Sequence, residues 1–258
     1  MQIKKEPFNC EIHGEVIITR MYRDNKDGHY FSPNGEPTCH HCVEEKEKAR
    51  WQKKEALRIT KLEEDRAKKL LDDLHVPGRY ENATFNNYTA VNAGQKSALK
   101  ACRNYAENFS ELSKAGGGLL LVGGVGTGKT HLAIAIGKEL VENKHSARYA
   151  NLADVIRAVR SSWNSSEYDE ADVYNTLASF ELLILDEVGV QAGTDNERNI
   201  IFEVINTRYG GNKPTILISN LPEREMMVFV GERVIDRIKD GRAGTIVFNW
   251  QSYRQRAA

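Results

Sequence analysis

The stretch Gly123-Gly-Val-Gly-Thr-Gly-Lys-Thr130 constrains this chain more than any other. It fits the pattern G-x-x-x-x-G-K-[ST], with Gly123 and Gly128 as the fixed glycines. A triphosphate needs donors packed close, and glycines let backbone N–H groups converge on it without Cβ clashes. Gly123, Gly124, Val125, Gly126, Thr127 and Gly128 form the cradle. Lys129 supplies a charge for the β- and γ-phosphates, and the Thr130 hydroxyl is placed to ligate Mg²⁺. Before the loop, Gly118-Leu-Leu-Leu-Val122 reads as a buried strand. After it, residues 129–142 read as a helix with Leu132, Ala133, Ile136 and Leu140 on one face. The phosphates would then sit at a helix N-terminus, where the dipole favours anions. A ligand-free Gly-rich turn is the plain alternative, and the complete strand–loop–helix context speaks against it.

A second stretch completes the site. Glu181-Leu-Leu-Ile-Leu-Asp-Glu187 is an apolar strand ending in two acids, the Walker B pattern. Asp186 would hold Mg²⁺ through water, and Glu187 would orient and polarise the attacking water. Thr215-Ile-Leu-Ile-Ser-Asn220 is another buried strand, and Asn220 at its end is placed to contact the γ-phosphate or that water. In Gly231-Glu-Arg-Val-Ile-Asp-Arg-Ile238 an amphipathic helix carries Arg233 and Arg237 four apart, on one face. They could reach a neighbour's ATP or serve as plain surface charge.

The remaining segments alternate. Residues 94–113 read as a helix with Ala98, Ala101, Cys102, Tyr105 and Phe109 inward. Ala147–Leu152 reads as a strand followed by a helix to about Trp163, Asp195–Arg208 as a helix, and Thr245–Trp250 as a last strand. Alternating strands and helices around a phosphate loop predict an α/β fold, a parallel sheet covered by helices on both faces. The ligand belongs at the strands' carboxyl ends.

Ahead of this domain, expected over 77–258, lie two further pieces. Residues 1–42 hold Cys10-x-x-His13 and Cys39-x-x-Cys42, two paired-ligand knuckles that suit a tetrahedral Zn²⁺ site. His40 and His41 are alternative ligands to His13. β-like pieces at Glu15–Thr19 and Gly28–Phe31, with a turn at Ser32–Gly35, make this a small zinc ribbon. So short a segment buries little core, and a metal would supply the missing folding energy. Residues 43–76 form a connecting helix, free of Gly and Pro as far as His75 and crowded with Glu, Lys, Arg and Ala. Its apolar stripe is thin, comprising Trp51, Leu57, Leu62, Leu70, Leu71 and Leu74. It reads as a largely solvated lever, partner-binding coil or spacer.

The formal net charge of zero gives no global preference for nucleic acid. No run approaches the ~18 apolar residues of a membrane span. The N-terminus lacks the apolar core of a signal peptide, and a cytoplasmic location with no membrane partner is expected.

Several stretches together resemble the DnaC-type replicative helicase loaders. They are Phe85-Asn-Asn-Tyr88, Gly123–Ala133, Leu185-Asp-Glu-Val-Gly189, Asn206-Thr-Arg-Tyr209, Ser219-Asn220, Gly231–Arg237 and Phe248-Asn-Trp-Gln-Ser-Tyr-Arg254. The resemblance spans roughly residues 75–254. It implies an AAA+ ATPase that escorts a ring-shaped DnaB-type helicase onto single-stranded DNA and self-associates on the ring. By the same resemblance Lys129, Thr130 and His131 belong to the ATP loop, Asn220 is the first sensor and Arg254 the second. Arg233 is the arginine finger, with Arg237 in support. The cysteine-bearing N-terminus departs from DnaC itself and resembles phage-type loaders. Two other readings remain: an IstB-type transposition ATPase acting with a transposase on duplex DNA, and a zinc-ribbon nucleic-acid adaptor.

Overall fold

The computed structural model describes residues 2–22, 39–240 and 244–253. The chain divides into two compact units, Met1–Asp65 and Arg66–Ala258, with the boundary inside one long helix. The expected divisions after residues 42 and 76 coincide with neither side of that boundary.

The first unit opens with an antiparallel hairpin. Strand β1 (Gln2–Cys10) pairs with β2 (Gly14–Tyr22) in a register running from Gln2↔Tyr22 to Cys10↔Gly14. Glu15–Thr19 is therefore a strand as expected, and it belongs to a longer one. The expected piece at Gly28–Phe31 and the turn at Ser32–Gly35 lie outside the described residues. Helix α1 runs His40–Leu74, starting before the expected Val43. Cys39 stands at its entrance, where its carbonyl accepts the Val43 N–H at 3.2 Å. Cys42 lies in its first turn. One turn of helix thus brings Cys39 and Cys42 to the same side.

The second unit is built on five parallel strands: β3 (Leu119–Gly123), β4 (Ala147–Asn151), β5 (Leu182–Val188), β6 (Thr215–Ser219) and β7 (Thr245–Phe248). Their order across the sheet is β4-β5-β6-β3-β7. Side chains alternate between two cores, as a pleated strand covered on both faces requires. Leu119 and Leu121 pack with Ile184, Ile216 and Ile218 against helices α2 (Ala93–Glu107), α3 (Phe109–Lys114) and α4 (Lys129–Glu142). Leu120 and Val122 pack with Leu183, Leu185 and Leu217 in the other core. That face is covered by α5 (Leu152–Ser162), α6 (Glu170–Ser179), α7 (Asp195–Gly210), α8 (Glu223–Val230) and α9 (Glu232–Lys239). The predicted α/β architecture is the one observed.

Three local expectations change. The helix expected over 94–113 is two helices, broken at Asn108. Ala101 is exposed, because the inward face of α2 is Ala98, Cys102, Tyr105 and Ala106. The thin stripe of α1 is not of one kind. Trp51, Leu57, Leu62 and Leu71 are exposed, whereas Leu74 is wholly buried in the core of the second unit and Leu70 packs against it. The C-terminal end of the connecting helix is thus part of the domain it was expected to precede. Helices α6 and α8, for which the sequence raised no expectation, close the second face.

One buried charge ties this domain together. Arg208 has no exposed surface, and its hydrogen-bond partners among the described residues include no carboxylate. It donates to Thr215 Oγ1 and to the carbonyls of Leu177, Phe180, Glu181 and Pro214. Burial lowers its pKa to about 9, and full satisfaction of its donors offsets the desolvation.

Candidate functional site

The phosphate loop leaves the carboxyl end of β3 and enters α4 at Lys129. Both fixed glycines are sterically required. Gly123 has φ +136°, and a Cβ there would lie 2.2 Å from the Phe248 carbonyl oxygen. Gly128 has φ +98°, and its Cβ would meet the Tyr88 ring at 2.7 Å. Inside the loop Thr127 Oγ1 donates to the Gly124 carbonyl at 2.8 Å.

The strand order explains what the loop meets. Strand β6 lies between β3 and β5, so Asn220, just past β6, stands between the loop and the acids of β5. The Lys129 ammonium donates to Asn220 Oδ1 at 2.9 Å and to the carbonyls of Gly123 and Gly124 at 2.8 and 2.7 Å. Burial depresses its pKa to about 8, partly offset by the charge of Asp186. Thr130 Oγ1 donates to Asp186 Oδ2 at 2.8 Å. Burial raises the pKa of Asp186, against hydrogen bonds from Thr130, the Glu187 N–H and Tyr149. Glu187 is exposed and holds a left-handed φ of 58°, at an irregularity in the β5–β6 register between Leu185 and Val188. Such strain in a non-glycine residue at a strand end is a mark of functional sites. Lys129, Thr130, Asp186, Glu187 and Asn220, distant in sequence, therefore converge.

Two polar residues went unnoticed in the sequence. Tyr149 donates its hydroxyl to Asp186 Oδ2 at 3.0 Å. Asn151, directly across from Asp186 in the β4–β5 register, donates its amide to Glu187. The signal was available: Arg148-Tyr-Ala-Asn151 is unusually polar for a strand, and it ends where α/β ligands bind.

The remaining candidates spread out. His131 turns to the Thr84 carbonyl, 2.8 Å from Nε2, and packs edge-on against Tyr88. Arg233 is exposed on α9 and has no hydrogen bond or ion pair among the described residues. Arg237 lies over the rings of Phe202 and Tyr209, at 4.7 and 5.4 Å from their centroids. The two arginines thus have different surroundings despite their shared spacing. Arg254 lies outside the described residues.

In the first unit Cys10, His13, Cys39 and Cys42 present ligand atoms that all lie within 4.8 Å of one another. His13 Nδ1 is 3.3 Å from Cys42 Sγ and 3.7 Å from both Cys10 Sγ and Cys39 Sγ. Cys10 Sγ and Cys42 Sγ are 3.5 Å apart, well beyond a disulfide. Tetrahedral ligands at Zn–S ~2.3 Å stand roughly 3.8 Å from one another, so the spacing fits. The thiols also crowd each other's ionisation. Hydrogen bonds from the backbone at His13 and Ile12 lower Cys10 to about 6, while its bond to Cys10 is the main cause raising Cys42 to about 11. A divalent cation would let Cys10 and Cys42 ionise together. His40 is exposed and pairs with Glu44, and His41 is exposed, so neither replaces His13 in the cluster.

Comparison with known proteins agrees with this geometry. The profile of the family described as IstB-like ATP binding protein matches residues 40–257. The replicative helicase loader DnaC of Escherichia coli (strain K12) is 35% identical over 211 residues, covering 80% of this chain and 85% of the relative. A crystal structure of the DnaC helicase loader aligns with a TM-score of 0.60 at 28% identity, covering 67% of this chain and 99% of that one. AMPPCP-bound DnaA from Aquifex aeolicus aligns with a TM-score of 0.55 at 26% identity, covering 64% of this chain and 50% of that one. The P-loop, the parallel sheet and these similarities together show that the chain belongs to the IstB-like ATP-binding family, as an AAA+ protein of the DnaC helicase-loader type.

Proposed function

We propose that this protein binds a DnaB-type replicative helicase and delivers it to single-stranded DNA, with ATP binding and hydrolysis as the switch. The observation that carries the reading is the convergence of Lys129, Thr130, Asp186, Glu187 and Asn220 in a chain that matches a named helicase loader over most of its length. An adaptor without catalysis would have no use for a strained, exposed Glu187 beside a buried Asp186.

Each residue then has a task. The loop amides from Gly123 to Gly128 and the Lys129 ammonium hold the phosphates. To do so Lys129 exchanges its present carbonyl partners for phosphate oxygens. Thr130 and Asp186 would hold Mg²⁺, which when bound would supply neutralisation of phosphate charge. Glu187 accepts a proton from the attacking water, and Asn151 sets its position. Asn220 reads the γ-phosphate from between the loop and the acids. Arg233 reaches a neighbouring subunit's ATP as the finger, since it is the exposed arginine of the pair and, unlike Arg237, lies over no aromatic ring among the described residues. Arg237 supports α9 through its aromatic contacts, and Arg254 serves as the second sensor. Cys10, His13, Cys39 and Cys42 bind Zn²⁺, which would hold the β1–β2 hairpin against the start of α1. The protein works in the cytoplasm; among the described residues no helix is long and apolar enough to cross a membrane.

The test mixes the purified chain with a hexameric replicative helicase, ATP and single-stranded DNA coated with single-strand-binding protein. Native mass reports a complex, and unwinding of a forked duplex reports loading. An ATP-dependent complex that loads the helicase is expected, and Lys129→Ala removes nucleotide binding and loading together. Loading by that variant at the normal rate would refute the role of the site. ATP-dependent binding to duplex DNA and a transposase, with no helicase complex, would instead favour the transposition reading that the IstB-like profile leaves open.

A further inference from the structure

The stretch Phe248-Asn-Trp-Gln-Ser-Tyr-Arg254 begins on the final residue of β7, and its arginine alone has been given a task above. The structure runs its described part, as far as Tyr253, along the phosphate loop. Trp250 donates its indole Nε1–H to the Thr127 carbonyl at 3.0 Å. The Tyr253 backbone N–H donates to the Gly126 carbonyl at 2.9 Å. From the segment before α2, the Tyr88 hydroxyl donates to the same Thr127 carbonyl at 3.4 Å. The indole is itself wedged in place. Its centroid lies 4.9 Å from that of the Phe248 ring, and a Cβ at Gly94 would come within 3.1 Å of it.

These bonds bear on the opposite side of the loop. In a trans peptide the C=O and the following N–H point in opposite directions. Tethering the Gly126 carbonyl therefore aims the Thr127 N–H away from the C-terminal segment. Tethering the Thr127 carbonyl does the same for the Gly128 N–H. These are the backbone donors that a phosphate loop turns toward its anion. Gly126 and Gly128 sit at φ +73° and +98°, so little steric resistance opposes rotation of the peptides between them. The loop's own side-chain bonds, from Thr127 and Lys129, reach the carbonyls of Gly123 and Gly124; the tethers from Trp250, Tyr253 and Tyr88 hold those of Gly126 and Thr127.

We infer that Trp250, aided by Tyr88 and the Tyr253 amide, is a positioning residue of the nucleotide site, holding the Gly126–Gly128 peptides with their N–H groups turned toward phosphate. Trp250 touches no phosphate itself; it acts by pre-organising the donors, so that binding does not have to order them. This rests on reading the loop as an ATP site.

The experiment measures equilibrium binding of a fluorescent ATP analogue and thermal unfolding without nucleotide, on the full chain. Trp250→Phe keeps a ring in the wedge and removes the N–H. ATP affinity should fall about five- to tenfold, the worth of roughly one hydrogen bond, with the melting temperature little changed. Tyr88→Phe, which removes the longer bond, should weaken binding less, and the double variant more than either. A merely structural role would lower the melting temperature and leave the affinity of the folded protein unchanged, which would overturn the inference. Where Trp250→Phe does not yield folded protein, Tyr88→Phe decides alone, and unchanged affinity in it overturns the inference. A wild-type chain that binds no ATP would instead remove the reading of the site beneath it.

Discussion

The end of α1 provides the sharpest test of how this chain is built. Leu74 has no exposed surface, although it sits in a helix that reads from sequence as solvated. Its seat is a notch made by a glycine. A Cβ at Gly137, on the helix that begins with Lys129, would lie 2.8 Å from Leu74 Cδ1 and 3.3 Å from Ile184 Cδ1. Leu74→Ala would open a cavity walled by helix backbone and a central strand, neither of which collapses easily. Its cost should fall in the upper part of the usual buried Leu→Ala range, about 4 kcal/mol. For a unit of this size that lowers the melting temperature by roughly 8–16 °C. Leu71→Ala, three residues earlier and exposed, should stay within about 0.5 kcal/mol of wild type. Gly137→Ala alone should destabilise by overpacking, by about 1–3 kcal/mol. In Leu74→Ala/Gly137→Ala the new methyl enters the vacated space, so the double variant should be more stable than the sum predicts. Thermal and urea unfolding by circular dichroism measure all four. Equal, small effects at Leu71 and Leu74, or strict additivity in the cycle, would refute the anchoring of α1. Removal of residues 1–75 should therefore destabilise the second unit, and removal of residues 1–65 should spare it.

Further outcomes follow from other contacts. Arg233→Ala should bind ATP normally yet lose about 10³-fold in turnover within helicase-bound assemblies, and an unchanged steady-state rate there would remove its finger role. Metal analysis should find one zinc per chain; stripping it should melt the β1–β2 hairpin in far-UV circular dichroism while the main unfolding transition stays put, and loss of both transitions would contradict the two-unit division. Arg208→Met should abolish soluble expression or cost about 4 kcal/mol or more, because five acceptors, three of them in buried bonds, lose their donor; a melting temperature within about 2 °C of wild type would show that the acceptors find other partners.

Much of the site was legible because its chemistry is local. The loop needs glycines at fixed spacing, and β5 must end in acids where the ligand binds, so Gly123–Thr130, Asp186 and Glu187 could be named from residue types alone. The zinc-type ligands stood out as two tight pairs, but His13 is separated from His40 and His41 only by the fold, which gathers it with the three cysteines. Asn220 was marked by its place at the end of an apolar strand. Tyr149 and Asn151 escaped because their roles depend on lying beside β5. Trp250 was noticed as part of a motif, with nothing to say what its indole touches.

The sequence by itself determined the alternation of strands and helices, the phosphate loop and the ligand pairs. Each rests on periodicity or spacing within a few residues, where chain connectivity sets the geometry. Only the tertiary structure decided which residues of distant segments meet. Placing β6 between β3 and β5 brings Asn220 to Lys129. The β4–β5 register sets Asn151 against Asp186. A glycine on α4 makes room for Leu74 and recruits the end of α1 into the core. The wedge between Gly94 and Phe248 directs Trp250 to the phosphate loop. Strand order, register and the fit of one side chain into the space left by another are properties of the packed whole, and no local window of sequence contains them.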